Sequence, residues 1–248
     1  MADDPPTMMR TVLDGLRAIG ATAIGTGVAV SRGGPPTVSV SMASDSAAIA
    51  IGTTPAFAVG DAATARLLEE EGPGTYIDEL LRVDGAPLTR WPARGDVPVT
   101  YWIQPGAGLE GYVPDNRRRV DEAFAAWGRT GIPLHFSAIA DSARADIHVV
   151  WTPRFSEPIS GKTRWIHDRR GWIRGARVTI ALHRYTGEPL SGEALHAIAL
   201  HEVGHSLGLD HTSDAANVMA PRVRVRDLSD ADRATARLLY RLPPGLRR

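Results

Sequence analysis

The chain has 248 residues, of which 43% are hydrophobic and 23% are charged, and its formal net charge is zero. This composition is typical of a soluble globular protein with room for one good-sized domain plus an extension, and the balanced charge predicts no nucleic-acid partner. Because the sequence contains no cysteine, disulfide bonds and thiolate metal ligands are excluded.

Residues 1–60 differ in composition from the rest of the chain, because they are rich in small residues and have few charges. Arg10 and Arg17 precede a run of thirteen uncharged residues at 18–30, a pattern found in export signals and membrane anchors. A low-complexity leader would explain the same composition, and the run is short for a transmembrane helix. We expect a secreted or cell-envelope protein with a signal, anchor or leader at residues 1–60, and we expect it to be a monomer.

Residues 61–90 are predicted to form a short helical region that Pro73 and Gly74 interrupt. From residue 91 onward the hydrophobic pattern becomes regular, and residues 91–248 are predicted to form the main domain. Runs of β-branched and aromatic residues predict strands, whereas residues 152–175 are predicted to be irregular. The predicted strands lie at 97–103, 134–139, 146–151 and 177–182.

Three helices are predicted within residues 91–248. The first follows Asp115, which is predicted to be its N-cap. The second begins at Ser191 and continues through the histidine-rich motif described next. The third begins at Ser229, with Asp232 in the position of a capping box, and closes the domain.

Residues 201–211 have the sequence HEVGHSLGLDH. Because side chains four positions apart lie on the same face of a helix, His201 and His205 can direct their imidazoles at one metal ion. Glu202 lies about 100° further round the helix, near the metal, which suits a general base.

Gly208 explains how His211 could join these two histidines. A ligand six residues after His205 would point away if the helix simply continued. Glycine adopts a positive φ at little steric cost, so Gly208 is predicted to end the helix and to turn the chain back toward the metal. The motif therefore predicts one zinc ion bound by His201, His205 and His211, with the fourth position open.

This HExxHxxGxxH pattern resembles the signature of the metzincin zinc peptidases. Met219 follows His211 by eight residues, a spacing similar to that of the methionine turn in the matrixin branch. The order of strands and helices over roughly residues 91–241 also looks like that of a matrixin catalytic domain. The resemblance implies an α+β metzincin-like fold with a twisted mixed sheet of four to five strands and three main helices, in a minimal, bacterial-type member.

The resemblance implies a zinc-dependent endopeptidase that acts on protein or peptide substrates, with Glu202 as the general base for a zinc-activated water. It also implies that an extended substrate pairs antiparallel with an edge strand, predicted here at 177–182. Two alternatives remain open. One is a zinc-dependent hydrolase of a non-peptide amide or small peptide, and the other is a non-catalytic zinc-binding module, against which the presence of Glu202 argues.

Two departures from the matrixin pattern concern latency and further metals. Many matrixin pro-segments contain an Arg-x-Cys-Gly-x-Pro core, and residues 82–87 match it with Asp84 in place of the cysteine. Asp84 could cap the zinc in a latent form, although an ordinary Asp-Gly turn is the simpler interpretation. The histidines outside the motif do not reproduce the spacing of the second zinc site of animal matrixins, so we expect neither a second zinc nor calcium.

Overall fold

The computed structural model describes residues 61–82 and 86–247, together with the backbone of three short strands, Val40–Ser41 (β1), Ile49–Ile51 (β2) and Phe57–Ala58 (β3). The predicted leader run at 18–30 and the predicted switch residue Asp84 lie outside the described residues. Every helix among the described residues falls short of the length and apolar character that crossing a bilayer requires.

The helices begin and end close to the positions that the sequence predicts. They are Ala62–Glu71 (α1), Ile77–Arg82 (α2), Pro114–Gly128 (α3), Gly192–Ser206 (α4) and Asp230–Leu239 (α5). Ser191 and Ser229 cap α4 and α5, because their hydroxyl oxygens accept hydrogen bonds from backbone N–H groups of the first turn. The three main helices predicted after residue 91 are therefore confirmed.

The predicted N-cap of α3, Asp115, was wrong by two residues. The helix begins at Pro114, and its N-cap is Val113, which provides no side-chain hydrogen bond. Proline suits the first helical position because its φ is already helical and its missing N–H would have no partner there. Asp115 lies in the first turn, where its carboxylate accepts hydrogen bonds from Arg118 at 2.7 Å and Arg119 at 3.1 Å.

A mixed sheet forms the centre of the domain. Its strands within residues 91–248 are Val99–Ile103 (β4), Phe136–Ala138 (β5), Ile147–Thr152 (β6), Gly161–Asp168 (β7) and Ile173–Ala181 (β8). They are ordered β7-β8-β6-β4-β5, and β2 pairs with the outer side of β7. Strand β7 is antiparallel to β8, whereas the other neighbours are parallel. The predicted α+β fold is confirmed.

Two predictions about strands were wrong on the β7 side of this sheet. Residues 152–175 are not irregular, because they contain all of β7 and the beginning of β8. Buried and partly exposed residues alternate along β7, but the buried ones are Gly161, Thr163, Trp165 and His167, so a search for hydrophobic periodicity does not detect it. Residues 177–182 do not form an edge strand either, since β8 lies between β7 and β6.

Helix α4 is held between α3 and the strands β7 and β8. The core around it contains Trp127 and Ile198, both fully buried, and Tyr101 of β4 stacks on Phe124 of α3 with ring centroids 3.9 Å apart. Burial of large apolar and aromatic side chains is the main stabilising contribution in such a core. The helix that carries the histidine motif is therefore fixed on several sides.

Two short pairings connect the chain ends to this domain. Arg222–Val223 (β9) pairs antiparallel with β1, and Leu246–Arg247 (β10) pairs in parallel with β3. The N-terminal strands β1, β2 and β3 thus add to three different parts of the fold.

Helix α2 shares the hydrophobic core with the rest of the domain, although it precedes residue 91. Its residues Ile77, Leu80 and Leu81 are buried in that core. Just before the helix, the backbone N–H of Tyr76 donates a hydrogen bond to the hydroxyl of Thr235 on α5 at 3.0 Å. Helix α2 is therefore packed as part of the domain.

Candidate metal centre

Helix α4 places His201 and His205 one turn apart on the same face, and the following loop brings His211 to them. The Nε2 atoms of His201 and His205 are 3.0 Å apart. The Nε2 atom of His211 lies 3.2 Å from each of them. Among the described residues, these three side chains form the one group of histidine and acidic residues placed to hold a metal ion.

The turn that returns His211 depends on Gly208. Its φ is +99°, its N–H donates to the carbonyl of His205 at 2.9 Å, and the next N–H, of Leu209, donates to Gly204 at 3.2 Å. The predicted positive φ is confirmed. The structure adds a second requirement, because a Cβ at position 208 would lie 1.9 Å from the carbonyl oxygen of Thr89.

Backbone carbonyls orient two of the three imidazoles. Nδ1 of His201 donates to the carbonyl of Val218 at 2.7 Å, and Nδ1 of His205 donates to the carbonyl of Leu209 at 2.8 Å. A proton on Nδ1 leaves the lone pair of Nε2 available, which is the tautomer that a metal ligand needs. Hydrogen bonds within the protein therefore direct the two rings at a common point.

Burial also favours the neutral form of these histidines. It lowers the pKa of His201 well below its ordinary value, and the nearby His205 and His211 lower it further. Burial likewise lowers the pKa of His205, and it lowers that of His211 to about 3. Because neutral imidazole is the metal-binding form, this environment suits cation binding near neutral pH.

The spacing of the three nitrogens fits zinc. A tetrahedral zinc ion with Zn–N distances of about 2.0–2.1 Å separates its ligand nitrogens by about 3.3 Å. The observed Nε2 separations of 3.0 and 3.2 Å are close to that value. Three converging lone pairs repel one another unless a cation lies between them, so both the donor set and its geometry fit a zinc site.

Three aromatic donors from other parts of the fold bond to backbone carbonyls of α4 and its C-cap, Leu207. Ser206 and Leu207 lie at the C-terminal end of the helix, where carbonyls lack intrahelical partners, whereas Leu200 lies within the helix. The pairs are Trp127 Nε1 with Leu200 at 2.8 Å, Trp91 Nε1 with Ser206 at 2.8 Å, and Tyr240 Oη with Leu207 at 3.0 Å.

Glu202 faces strand β7 and is almost completely buried, with 1% of its surface exposed. The hydroxyl of Thr163 on β7 forms a short hydrogen bond to its carboxylate and also contacts its backbone carbonyl oxygen at 3.0 Å. Burial raises the pKa of Glu202 to about 8, and the hydrogen bond from Thr163 opposes this rise. A carboxylate with increased proton affinity next to a metal site suits a proton-transfer role.

The carboxylate of Glu202 occupies space that a side chain at position 161 would fill, and that residue is glycine. A Cβ at position 161 would lie 2.3 Å from Oε1 of Glu202 and 2.7 Å from its Cδ. Sequence reasoning did not identify Gly161 or Thr163, because both lie in the stretch predicted to be irregular.

Met219 is fully buried beside α4 and contacts the helix at Gly204, which lies between His201 and His205 in sequence. A Cβ at Gly204 would lie 2.4 Å from its Sδ atom, so the methionine packs directly against the helix backbone there. The carbonyl of Met219 accepts the N–H of Thr212 at 3.1 Å. The turn around Met219 therefore contacts both the helix that carries His201 and His205 and the loop that follows His211.

A family model described as Matrixin matches residues 90–241. The chain belongs to the matrixin family. Membership supports a zinc metallopeptidase and implies zinc as the metal of the histidine cluster.

Individual relatives are more distant and much longer. This matrixin is 28% identical over 124 residues to matrix metalloproteinase-16 of Mus musculus, a match that covers 44% of the chain and 20% of that protein. It is 28% identical over 124 residues to matrix metalloproteinase-C of Caenorhabditis elegans (43% and 20% covered) and 27% identical over 135 residues to macrophage metalloelastase of Oryctolagus cuniculus (49% and 28% covered). The chain thus spans less than a third of each of these relatives.

Asp232 supports the methionine turn of this matrixin. Its buried carboxylate accepts hydrogen bonds from the N–H of Val218 at 2.9 Å, the N–H of Ser229 at 2.8 Å and the hydroxyl of Tyr76 at 3.0 Å. The predicted capping box is confirmed. The structure adds that the same carboxylate holds Val218, whose carbonyl orients His201.

Four other histidines each contact a backbone carbonyl. The pairs are His148 with Ser142, His167 with Asp168, His183 with Pro153 and His196 with Arg119. In the described part of the matrixin chain, none of them joins a second group of metal-capable side chains. The expectation of no second zinc and no calcium stays a prediction.

Proposed function

We propose that this matrixin is a zinc-dependent endopeptidase in which His201, His205 and His211 hold the zinc and Glu202 is the general base. The observation that carries the proposal is the convergence of three imidazole Nε2 atoms beside a buried carboxylate on the same helix. Gly208 and Met219 support this arrangement through the turn after α4 and the packing against it.

When bound, zinc supplies Lewis-acid chemistry by polarising the scissile carbonyl and making the attacking water more acidic. Glu202 takes the proton from that water and returns it to the leaving amine. The hydroxyl of Thr163 holds the carboxylate in one orientation during these transfers.

We propose that an extended substrate pairs with the outer edge of β7 at residues 161–165, since β2 pairs with that edge at residues 166–168. This strand replaces 177–182 as the outermost long strand on its side of the described sheet, and it is antiparallel to β8. Its first residue, Gly161, lies against the carboxylate of Glu202. A peptide paired here by main-chain hydrogen bonds would present a carbonyl close to the general base with little dependence on side chains.

The substrates are proposed to be proteins or peptides, and the location is proposed to be secreted or cell-envelope. We further propose a monomer.

Removal of the metal tests the proposed function directly. Excess chelator is expected to reduce cleavage of a casein substrate to background, and stoichiometric zinc is expected to restore it. Because zinc binds the folded state, a free zinc concentration 100-fold above the dissociation constant should raise Tm by about 5–10 °C. Metal analysis of the purified protein should give one zinc per chain. Full cleavage by protein shown to be metal-free would refute the proposal.

Replacement of Gly161 with alanine is expected to displace the general base. The new methyl group would overlap Oε1 of Glu202, so the carboxylate must move by an ångström or more. Displacement of this size in a catalytic group costs about 100-fold in rate, and we expect kcat/KM for a fluorogenic peptide to fall by about that factor.

Gly175→Ala on β8 is the matched control, because a Cβ at that position would meet its nearest atom, the carbonyl oxygen of Asp146, at 3.7 Å, an ordinary contact. It should leave kcat/KM within a few-fold of the wild type. Zinc content should be unchanged in both variants. Equal activities of the two variants would contradict the role given to Gly161.

A further inference from the structure

Helix α2 contacts the loop that follows the third ligand, although it precedes the region matched by the family model. Oε1 of Glu79 accepts the hydroxyl of Thr212 at 3.0 Å, and Oε2 accepts the backbone N–H of Ser213 at 2.7 Å. Thr212 is nearly buried, with 2% of its surface exposed. One carboxylate therefore holds the two residues immediately after His211.

This contact matters because His211 is anchored differently from the other two ligands. His201 and His205 each donate from Nδ1 to a backbone carbonyl. Within residues 61–82 and 86–247, no backbone carbonyl accepts a hydrogen bond from the ring of His211; its Nε2 atom lies near those of the two other rings, and its backbone N–H donates to Asp210. The orientation of its ring consequently depends on the backbone on either side of it.

Glu79 and the methionine turn hold that backbone from two directions. The N–H of Thr212 donates to the carbonyl of Met219 at 3.1 Å, while its hydroxyl donates to Glu79. Removing Glu79 would leave the N–H of Thr212 bonded to Met219, but it would take away the acceptor of the Ser213 N–H.

Helix α2 is itself fixed relative to the metal centre. The hydroxyl of Tyr76 donates to Oδ1 of Asp232, whose Oδ2 accepts the N–H of Val218 in the methionine turn. With Ile77 buried in the core, these contacts define where Glu79 lies. A carboxylate on such a helix can hold a loop at a set distance from the ligand helix.

We propose that Glu79 is a positioning residue that sets the orientation of His211 for zinc. The proposal rests on the proposed zinc site, and it makes α2 a functional part of the catalytic unit. Residues that hold the ligands of a metal in this way typically contribute 10–100-fold to metal affinity.

The test measures the zinc dissociation constant of the full chain by competition with a chromophoric chelator, alongside urea unfolding of the zinc-free protein. Glu79→Ala is expected to raise the dissociation constant about 10–100-fold. Glu79→Gln should have a smaller effect, because its amide retains one acceptor oxygen. Thr212→Val, which removes only the hydroxyl contact, should also weaken zinc, and its effect should not add fully to that of Glu79→Ala.

Glu70→Gln is the matched control, since Glu70 is exposed on α1, and its zinc affinity should equal that of the wild type. An unchanged zinc dissociation constant in folded Glu79→Gln, Glu79→Ala and Thr212→Val would overturn the proposal, even if urea unfolding showed lower stability. Zinc affinity is measured without any substrate. A wild type that binds zinc but cleaves no peptide would therefore refute the peptidase function and leave the positioning role supported by the affinity data.

Discussion

Glu202→Ala is expected to lower kcat/KM for peptide cleavage by about 10²–10⁴-fold while the protein still binds one zinc. The variant loses the group that takes the proton from the attacking water, but it keeps the three imidazoles of the metal centre. Steady-state kinetics with a fluorogenic peptide measure the loss, and metal analysis of the same sample measures the zinc.

Two further variants make the result specific. Glu202→Gln keeps the size of the side chain and its contact with Thr163 but not its basicity, so it should be almost as inactive as the alanine variant. Glu193→Gln removes a carboxylate from the first turn of the same helix, where Glu193 is exposed and paired with Arg226, and it should retain nearly full activity. Wild-type rates in both Glu202 variants would exclude the proposed mechanism.

Gly208→Ala is expected to destabilise the zinc-free protein by roughly 4 kcal/mol. Part of this cost comes from a φ of +99°, which alanine rarely adopts. The rest comes from overlap of the new Cβ with the carbonyl oxygen of Thr89. Urea unfolding followed by circular dichroism measures the change, and zinc affinity should fall as well because the turn delivers His211.

Gly74→Ala separates the two causes. Gly74 has a φ of +78° in the loop between α1 and α2, but a Cβ there would meet no atom within 4 Å. It should cost only about 1–2 kcal/mol, the penalty for the backbone conformation alone. Equal losses at positions 74 and 208 would show that the approach of Thr89 contributes nothing.

The parts of the site that could be predicted are those that local sequence determines. Helix α4 was predicted because its cap, Ser191, and its terminating glycine, Gly208, lie within a few residues of the elements that they define. The convergence of His201 with His205 follows from helical periodicity alone. The position of Met219 came from the resemblance to matrixins, since nothing in its local sequence marks it.

The parts that could not be predicted arise from contacts between distant residues. Gly161 is needed only because the side chain of Glu202 comes to lie against it, and Glu79 meets Thr212 across 133 positions of the chain. Strand β7 was missed for a related reason, because its neighbours in the sheet, and not its own hydrophobicity, make it a strand. Asp115 was assigned as an N-cap on residue type, whereas Pro114 was already suited to the helical conformation.

The bonds from Trp91, Trp127 and Tyr240 to backbone carbonyls of α4 and its C-cap have a consequence for metal exchange. These donors hold the ligand helix in place without the metal. Zinc binding is therefore not needed to fold this part of the chain, whereas it drives the folding of zinc fingers. The loss of conformational entropy that accompanies zinc uptake is correspondingly small. Demetallated protein should therefore keep its far-ultraviolet circular dichroism, and it should take zinc back without a slow refolding phase.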